Sequence, residues 1–287
     1  MEEKNNKINI NWFPGHMKKA SNLIEEKSKY VDFFIYLLDA RVINSSMNNY
    51  LLNKIKDKKK MFLISKADLS SQKDNELWEK KLNSGDDITL FVDLKNQRSI
   101  DLILKKIDLM IENKKEKMLK KGIKNFTIKA MVIGIPNVGK STFINLMSKR
   151  CIAKAENRPG LTRNITWIKV NKNFELLDTP GILLPKFENE TNAINLALIG
   201  TIKEDVLPLD DLFEHLMKII RKEYSDLFFN KYEISLENID NLEMLNILCK
   251  KRGYILKNNE LDLLRCKKVI LNDFKNGKLG RITLEKA

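Results

Sequence analysis

One short segment of the chain has the residue types and spacing that bind phosphate. Residues 134–141 fit the pattern G-x-x-x-x-G-K-S, and an apolar segment precedes them. In this pattern the glycines let the backbone wrap around phosphates, and the helix that follows directs its N-terminus at them. Lys140 would neutralise the β- and γ-phosphates, and Ser141 would bind Mg²⁺. The alternative is a glycine turn without function.

A second segment has the residues that distinguish guanine from adenine. Residues 65–68 read S-K-A-D, a variant of the guanine signature N-K-x-D. The Asp68 carboxylate would accept hydrogen bonds from N1–H and the exocyclic amine of guanine, and Lys66 would lie along the base plane. Adenine lacks that donor pair, so the buried carboxylate would reject it. The usual first residue is Asn, and Ser65 departs from it. The alternative is a turn without a ligand.

The order of these segments predicts the topology. In an ordinary GTPase the phosphate loop comes first, whereas here the guanine-reading segment precedes it. The reversal indicates a circularly permuted GTPase domain.

A third segment follows the phosphate loop and has the residues of a metal-side motif. Residues 178–181 read D-T-P-G after a predicted strand. Asp178 can hold Mg²⁺ through a water, and the Gly181 N–H can bond the γ-phosphate. Thr162 is the candidate switch threonine that completes Mg²⁺ coordination when the γ-phosphate is present. Thr166 and Ser148 are other nearby hydroxyls, which keep that assignment open.

The segments around these motifs predict an α/β fold. Nearly unbroken apolar runs at 31–38, 61–64, 89–92 and 130–133 are typical of strands buried on both faces of a parallel sheet. Amphipathic patterns predict helices at 17–30 and 100–110, and residues 165–170 and 174–177 resemble a hairpin. We expect a doubly wound, mostly parallel sheet.

Beyond about residue 186 the pattern becomes helical. Apolar residues recur at helical spacing near 212–220, 242–249 and 270–274. The sequence therefore predicts two domains, a permuted GTPase domain at 1–186 and a small all-α domain at 187–287. The lysine-rich stretch 112–124 reads as a solvated helix end or linker between the two halves of the first domain, or else as a nucleic-acid patch.

Composition narrows the class of protein. The chain has 287 residues, 43% of them hydrophobic, which is enough to form real cores. Its 52 Lys and Arg against 38 Asp and Glu give a net charge of +14, which favours a polyanionic partner. A lysine-rich composition from an AT-rich genome would give the same charge.

Location and cysteine chemistry follow from what the sequence lacks. No run reaches the roughly 18 apolar residues of a membrane span. The N-terminal segment does not resemble a secretory signal. The three cysteines are far apart in sequence, so we expect reduced thiols rather than a disulfide framework or zinc site. These observations favour a cytoplasmic protein without a membrane span.

Taken in order, the motifs resemble those of the ribosome biogenesis GTPase A family. The segments are 11–17 (N-W-F-P-G-H-M), 39–41 (D-A-R), 65–69, 134–142 and 178–181, with an ending at 277–285. The resemblance covers essentially the whole chain. It implies a cytoplasmic GTPase. We also expect that the protein uses GTP/GDP and Mg²⁺ and that it is a monomer. Its implied partner is the precursor of the large ribosomal subunit and its rRNA, late in assembly.

The resemblance also assigns further site residues. Leu94 stands where the family has a Ser-Ala pair at a second guanine contact, which a backbone N–H can still make. Asn137, Val138, Gly139 and Thr142 complete the nucleotide-binding loop. In potassium-activated GTPases an Asn at the place of Asn137 helps to bind K⁺, and the alternative is an Asn suited to a tight turn.

The catalytic group is less defined than the binding residues. Many GTPases orient the attacking water with a Gln after D-x-x-G, but Ile182 and Leu183 occupy that stretch. We expect His16, together with Lys140 and Thr162, to act on the γ-phosphate once a ribosomal partner orders the His16 segment. A structural or RNA-binding histidine is the alternative.

The sequence thus predicts a GTP-hydrolysing assembly factor whose nucleotide state controls ribosome binding and release. The alternative is a GTP-binding ribosomal RNA scaffold with little or no hydrolysis. A permuted GTPase of the small subunit is a third possibility, but such relatives carry a zinc module or an N-terminal barrel that this sequence lacks.

Overall fold

The computed structural model describes residues 22, 24–83, 87–123, 126–152, 166–171, 173–179, 189–202 and 206–287. His16, Thr162 and Gly181, together with the segment 11–17, lie outside the described residues. Residues 24–28 are helical, within the helix expected at 17–30.

A six-stranded sheet forms the centre of the first part of the chain. Its strands are β1 (Phe33–Asp39), β2 (Lys59–Ser65), β3 (Ile88–Phe91), β4 (Ile128–Gly134), β5 (Thr166–Asn171) and β6 (Phe174–Asp178). They lie in the order β3-β2-β1-β4-β6-β5. All neighbouring pairs are parallel except β5 with β6, which form the expected antiparallel pair. The α/β class and the mostly parallel sheet are therefore confirmed.

The sheet is buried on both faces, as the apolar runs predicted. On β1, Phe33 and Leu37 belong to one apolar core, whereas Phe34 and Leu38 belong to another. This alternation follows from the two-residue repeat of a strand. Helices therefore cover both faces of the sheet.

The helices lie between the strands and after them. They are α1 (Ile43–Ser46), α2 (Asn49–Lys54), α3 (Gln72–Leu82), α4 (Gln97–Lys120), α5 (Lys140–Ile152), α6 (Glu190–Leu198), α7 (Leu209–Glu223), α8 (Ser225–Tyr232), α9 (Asn241–Arg252) and α10 (Leu263–Lys275). Helix α4 ends at Lys120, within the lysine-rich stretch 112–124. That stretch therefore contains a helix end, which is one of the two interpretations given above. No helix in the described part of the chain is long and apolar enough to cross a membrane.

Helices α6 to α10 form the helical C-terminal region. Their apolar faces do not make a separate core, because Leu196, Phe213 and Leu248 belong to the same buried cluster as Val132 of the sheet. The C-terminal tail, residues 276–287, then packs against the loops that follow β1 and β2, where the Leu284 N–H donates to the Arg41 carbonyl and the Ile282 N–H to the Leu69 carbonyl.

One sequence expectation about cysteines is wrong. Cys249 on α9 and Cys266 on α10 pair as a disulfide, with their Cα atoms 6.2 Å apart. The two residues are 17 positions apart in sequence, and the packing of α9 against α10 brings them together. That packing was not visible from the spacing.

Candidate functional site

The predicted site residues follow the carboxyl ends of adjacent parallel strands. Strand β2 ends at Ser65, β4 at Gly134 and β6 at Asp178, while β1 ends at Asp39. In open α/β sheets this edge is where ligands bind. The two motifs that lie far apart in sequence are therefore neighbours in space.

The phosphate loop has the close-packed backbone that its glycines allow. A Cβ at Gly134 would lie only 2.5 Å from the Leu37 carbonyl oxygen. Asn137 has a positive φ of 60°, and its side-chain Nδ2 donates to the Gly200 carbonyl at 2.8 Å. The loop is thus held against β1 on one side and the helical region on the other.

Lys140 is folded back onto its own loop. Its Nζ donates to the carbonyls of Gly134 at 3.0 Å and Ile135 at 2.8 Å, and the residue is 8% exposed. Burial lowers the pKa of Lys140 to about 8, and the nearby Asp178 charge opposes this effect. An anion close to Nζ would stabilise the charged form further.

Two oxygen-bearing residues expected at the metal lie near Lys140. Ser141 is in the first turn of α5 and is exposed, while Asp178 at the end of β6 is buried. Thr179 beside it donates from Oγ1 to the Val132 carbonyl at 2.6 Å, which holds this end of β6 to β4. Hydroxyl and carboxylate oxygens are suitable ligands for Mg²⁺.

The guanine-reading segment is joined directly to the phosphate loop. The Ser65 hydroxyl lies 2.6 Å from the Val138 carbonyl oxygen and 3.0 Å from that of Leu38. Lys66, with φ 57°, donates from Nζ to the Asn137 carbonyl at 3.2 Å. Asp68 lies in a short 3₁₀ turn, Ala67–Leu69, and its Oδ2 is 3.9 Å from Lys95 Nζ.

A cluster of three charged residues, Asp39, Arg41 and Lys66, holds this segment against the end of β1. Asp39 accepts from Arg41 Nε and Nη2, both at 3.0 Å, and its Oδ2 lies 2.8 Å from Lys66 Nζ. Burial alone would raise the pKa of Asp39, but the charges of Arg41 and Lys66 hold it well below its usual range. Asp39 is therefore a permanent anion that fixes the position of Lys66.

A cavity of about 470 Å³ opens between the two motifs. This volume is within the range of small-ligand sites. The predicted residues that line it are Ser65, Lys66, Asp68, Leu94, Asn137, Val138, Gly139 and Thr142. Lys140, Ser141 and Asp178 are not among its lining residues and lie next to it on the phosphate side.

The cavity also has walls that the sequence did not predict. Arg41 lines it, as do four residues of the helical region: Ile199, Gly200, Lys275 and Asn276. Arg41 could have been found, because the D-A-R segment directly follows an apolar strand. The four helical-region residues carry no recognisable motif.

Comparison with known proteins gives the family. The model of the 50S ribosome-binding GTPase family matches residues 129–246. "Ribosome biogenesis GTPase A" of Bacillus licheniformis is 35% identical over 277 residues, which are 96% of this chain and 98% of that protein. The protein of the same name from Bacillus cereus is 35% identical over 276 residues, 96% of this chain and 93% of that one.

Solved structures show the same fold. GNP-bound YlqF from T. maritima matches with a TM-score of 0.61 and 21% identity, over 93% of this chain and 98% of that chain. A GDP-bound YlqF structure matches with a TM-score of 0.63, also at 21% identity, over 92% of this chain and 98% of that chain. On the identity and coverage of its relatives, this chain belongs to the ribosome biogenesis GTPase A family and is a GTPase.

Proposed function

We propose that this GTPase acts at a late step in maturation of the large ribosomal subunit, and that its nucleotide state controls ribosome binding and release. The observation that carries the proposal is that Asp68 and the phosphate loop line the same cavity. The names of the relatives and the description of the matching family model support the ribosomal partner.

On the phosphate side, we propose that Lys140 leaves the carbonyls of Gly134 and Ile135 to contact the β- and γ-phosphates. Ser141 and Asp178, the latter through a water, would hold Mg²⁺ together with Thr162. A bound Mg²⁺ neutralises charge that develops on the phosphate oxygens. The backbone N–H groups of Val138, Gly139 and Thr142 suit the phosphates because they lie just before and within the first turn of α5.

On the base side, we propose that Asp68 accepts the two guanine N–H groups and that the backbone N–H of Leu94 makes the second contact. Lys66 would flank the base plane, held by Asp39. Ser65 would act indirectly, since its hydroxyl bonds the Val138 carbonyl of the phosphate loop and so holds that loop beside the guanine-reading segment.

Hydrolysis requires a group that orients water, and we propose His16 for this role. Asn137 is the candidate K⁺ ligand through its side-chain oxygen, while its nitrogen donates to Gly200. A potassium ion there would supply positive charge next to the γ-phosphate.

The helical region, residues 187–287, would bind ribosomal RNA. The net charge of +14 belongs to the whole chain and favours contact with phosphates, which carry most of the affinity in such complexes. Residues 187–287 hold 16 Lys and Arg against 17 Asp and Glu, so the excess positive charge lies in residues 1–186 and the helical region would contribute individual Lys and Arg side chains. We propose that the protein is a cytoplasmic monomer made of this region and the GTPase domain at 1–186.

Co-sedimentation with ribosomal subunits tests the proposal. We expect the chain to pellet with immature large subunits in the presence of a non-hydrolysable GTP analogue, and to be released with GDP. Binding to mature small subunits in both states would contradict the assignment. If GTP turnover stays at its free value when immature large subunits are added, the chain acts as an RNA scaffold instead.

The same turnover assay tests the two groups proposed for catalysis. We expect His16→Ala to lose the stimulation by large-subunit particles while it keeps GDP affinity. His215→Ala is the control, because the other histidine of the chain lies on α7 and bonds Asn195 at 3.0 Å. Equal stimulated rates for His16→Ala and the unmodified protein would remove His16 from the mechanism. Equal rates in K⁺ and Na⁺ buffers would remove the potassium ion.

A further inference from the structure

The C-terminal tail packs along the guanine-reading segment. Arg281 donates from Nε to the Ser70 carbonyl at 2.6 Å and from Nη2 to the Ala67 carbonyl at 3.0 Å. The Ile282 N–H donates to the Leu69 carbonyl at 3.0 Å. Three carbonyls around Asp68 are therefore held by residues more than two hundred positions away in sequence.

Further contacts fix the tail on both sides of these bonds. The Thr283 hydroxyl accepts from the Ser71 N–H at 2.9 Å, and Thr283 is buried. A Cβ at Gly277 would lie 2.4 Å from Leu69 Cδ2, which shows how closely the tail approaches the turn. The tail thus contacts Ala67 and Leu69, the residues on either side of Asp68.

The turn needs such support because it has little structure of its own. A 3₁₀ turn of three residues has poor hydrogen-bond geometry. Lys66, which begins it, has φ 57°, a conformation that costs a non-glycine residue free energy and persists only where the surroundings impose it. Contacts from outside the turn must therefore determine where the Asp68 carboxylate points.

We propose that the tail is the brace of the guanine-reading turn and that Arg281 is a positioning residue for Asp68. Base specificity of the GTPase then depends on the tail remaining in place, although no tail residue from 277 onward lines the cavity. The inference rests on the proposed role of Asp68 as the guanine reader. By thermodynamic reciprocity, guanine binding must also stabilise the docked tail.

The test compares GDP with IDP, which lacks the exocyclic amine and so loses one of the two bonds to Asp68. We expect Arg281→Ala to weaken GDP binding by about tenfold, because two hydrogen bonds to the turn are lost. IDP binding should weaken less, so the ratio of the two dissociation constants moves toward one. A merely destabilised fold would weaken both nucleotides alike.

Lys278→Ala is the matched control, because Lys278 is an exposed cation of the same tail whose ion pair, at 3.9 Å, is with Asp273 and not with the turn. Arg281→Lys should fall between the wild type and Arg281→Ala, since a single ammonium nitrogen lacks the planar fork with which Arg281 reaches the two carbonyls from separate nitrogens. An unchanged GDP-to-IDP ratio in Arg281→Ala, or an equal change in Lys278→Ala, overturns the brace.

Asp68→Asn separates this inference from the proposed site. If Asp68→Asn leaves the GDP-to-IDP ratio unchanged, the guanine-reading role of Asp68 fails. If Asp68→Asn removes the preference for GDP over IDP but Arg281→Ala does not, the guanine-reading role stands and only the brace fails. Should the Arg281 variants not fold, hydrogen exchange on the wild-type protein decides the matter. The Ile282 amide should exchange more slowly with GDP than with IDP, and equal rates contradict the proposal.

Discussion

Lys66 and Lys140 lie on the two sides of the cavity, and their surroundings differ. Lys66 Nζ is 2.8 Å from the buried carboxylate of Asp39, which is also bound by Arg41. Lys140 Nζ is held by two backbone carbonyls instead, and burial lowers its pKa to about 8. Both are lysines of nucleotide-binding motifs in one sheet edge, but only the first has a carboxylate as its principal partner.

This difference indicates two kinds of preparation for a ligand. The base side is already assembled, because the Asp39 carboxylate pairs with both Arg41 and Lys66 within the protein. The phosphate side keeps a cation whose charge is costly where it lies, and an incoming phosphate would lower that cost. We therefore expect the base side to keep its arrangement when a ligand binds. On the phosphate side we expect the ligand to stabilise the charged form of Lys140.

The largest effect should come from breaking the base-side cluster. Arg41→Met leaves the buried Asp39 with Lys66 as its cationic partner and removes the 3.0 Å bond from Arg41 Nη1 to the Lys275 carbonyl. We expect the free energy of unfolding to fall by about 3–5 kcal/mol, as for other buried pairs that lose one member. Denaturant unfolding measures this loss.

The double variant Asp39→Asn with Arg41→Met is the control for that measurement. Removal of both charges should be less destabilising than the sum of the two single changes, because no unpaired ion remains buried. A double variant as unstable as the sum would mean that the cluster does not act as a unit.

On the phosphate side, Lys140→Ala should reduce GTP turnover by about 100- to 1,000-fold, the usual loss when one electrostatic contact to a transition state is removed. Lys105→Ala, on the exposed face of α4, is the control and should leave turnover unchanged. Because Lys140 is charged and buried, its removal should not lower the unfolding free energy of the nucleotide-free protein. A matching loss of stability would show that Lys140 is structural, like Lys66.

The pH dependence of binding gives a smaller and more specific difference. Since the pKa of Lys140 is lowered to about 8, the free protein loses this proton above pH 8, whereas bound phosphate favours the charged form. Binding then takes up a proton, and affinity for pyrophosphate should fall by about tenfold per pH unit above pH 8. Below pH 8 it should be flat. Calorimetry on the wild type and Lys140→Met checks this, and a slope that persists in the variant contradicts it.

The smallest effect should come from the contact that joins the two sides. Ser65→Ala leaves the Val138 carbonyl without its hydroxyl donor and should cost about 1 kcal/mol of unfolding free energy. Ser148→Ala is the control, because the Ser148 hydroxyl bonds the Ile144 carbonyl within the same helix and should be close to neutral. Equal losses of unfolding free energy in the two variants would show that the bond from Ser65 to Val138 does not stabilise the contact between the two sides.

The sequence predicted those parts of the fold and site that depend on local pattern. The apolar run at 31–38 became β1, Phe33–Asp39, and the glycine pattern became a loop between β4 and α5. Motif order predicted a permuted domain, and the structure places Ser65 beside Val138 because parallel strands bring their carboxyl ends to one edge. The roles of Lys140, Ser141 and Asp68 remain predictions that the experiments above address.

Contacts between distant segments could not be predicted in this way. The bond from Arg41 to the Lys275 carbonyl and the pairing of Cys249 with Cys266 depend on how helices pack, and no periodicity encodes their partners. The same is true of Arg281, whose acceptors are backbone carbonyls and therefore leave no signature in residue type.

The apolar cluster that runs from Val132 in the sheet to Leu248 in α9 has a consequence for how the molecule comes apart. A core shared by both regions transmits the loss of one region to the other, so heat or denaturant should melt them in one cooperative step. The change of pattern near residue 187 would then mark where the chain changes from α/β to all-α architecture. The unit that unfolds cooperatively would include both regions and extend to the tail.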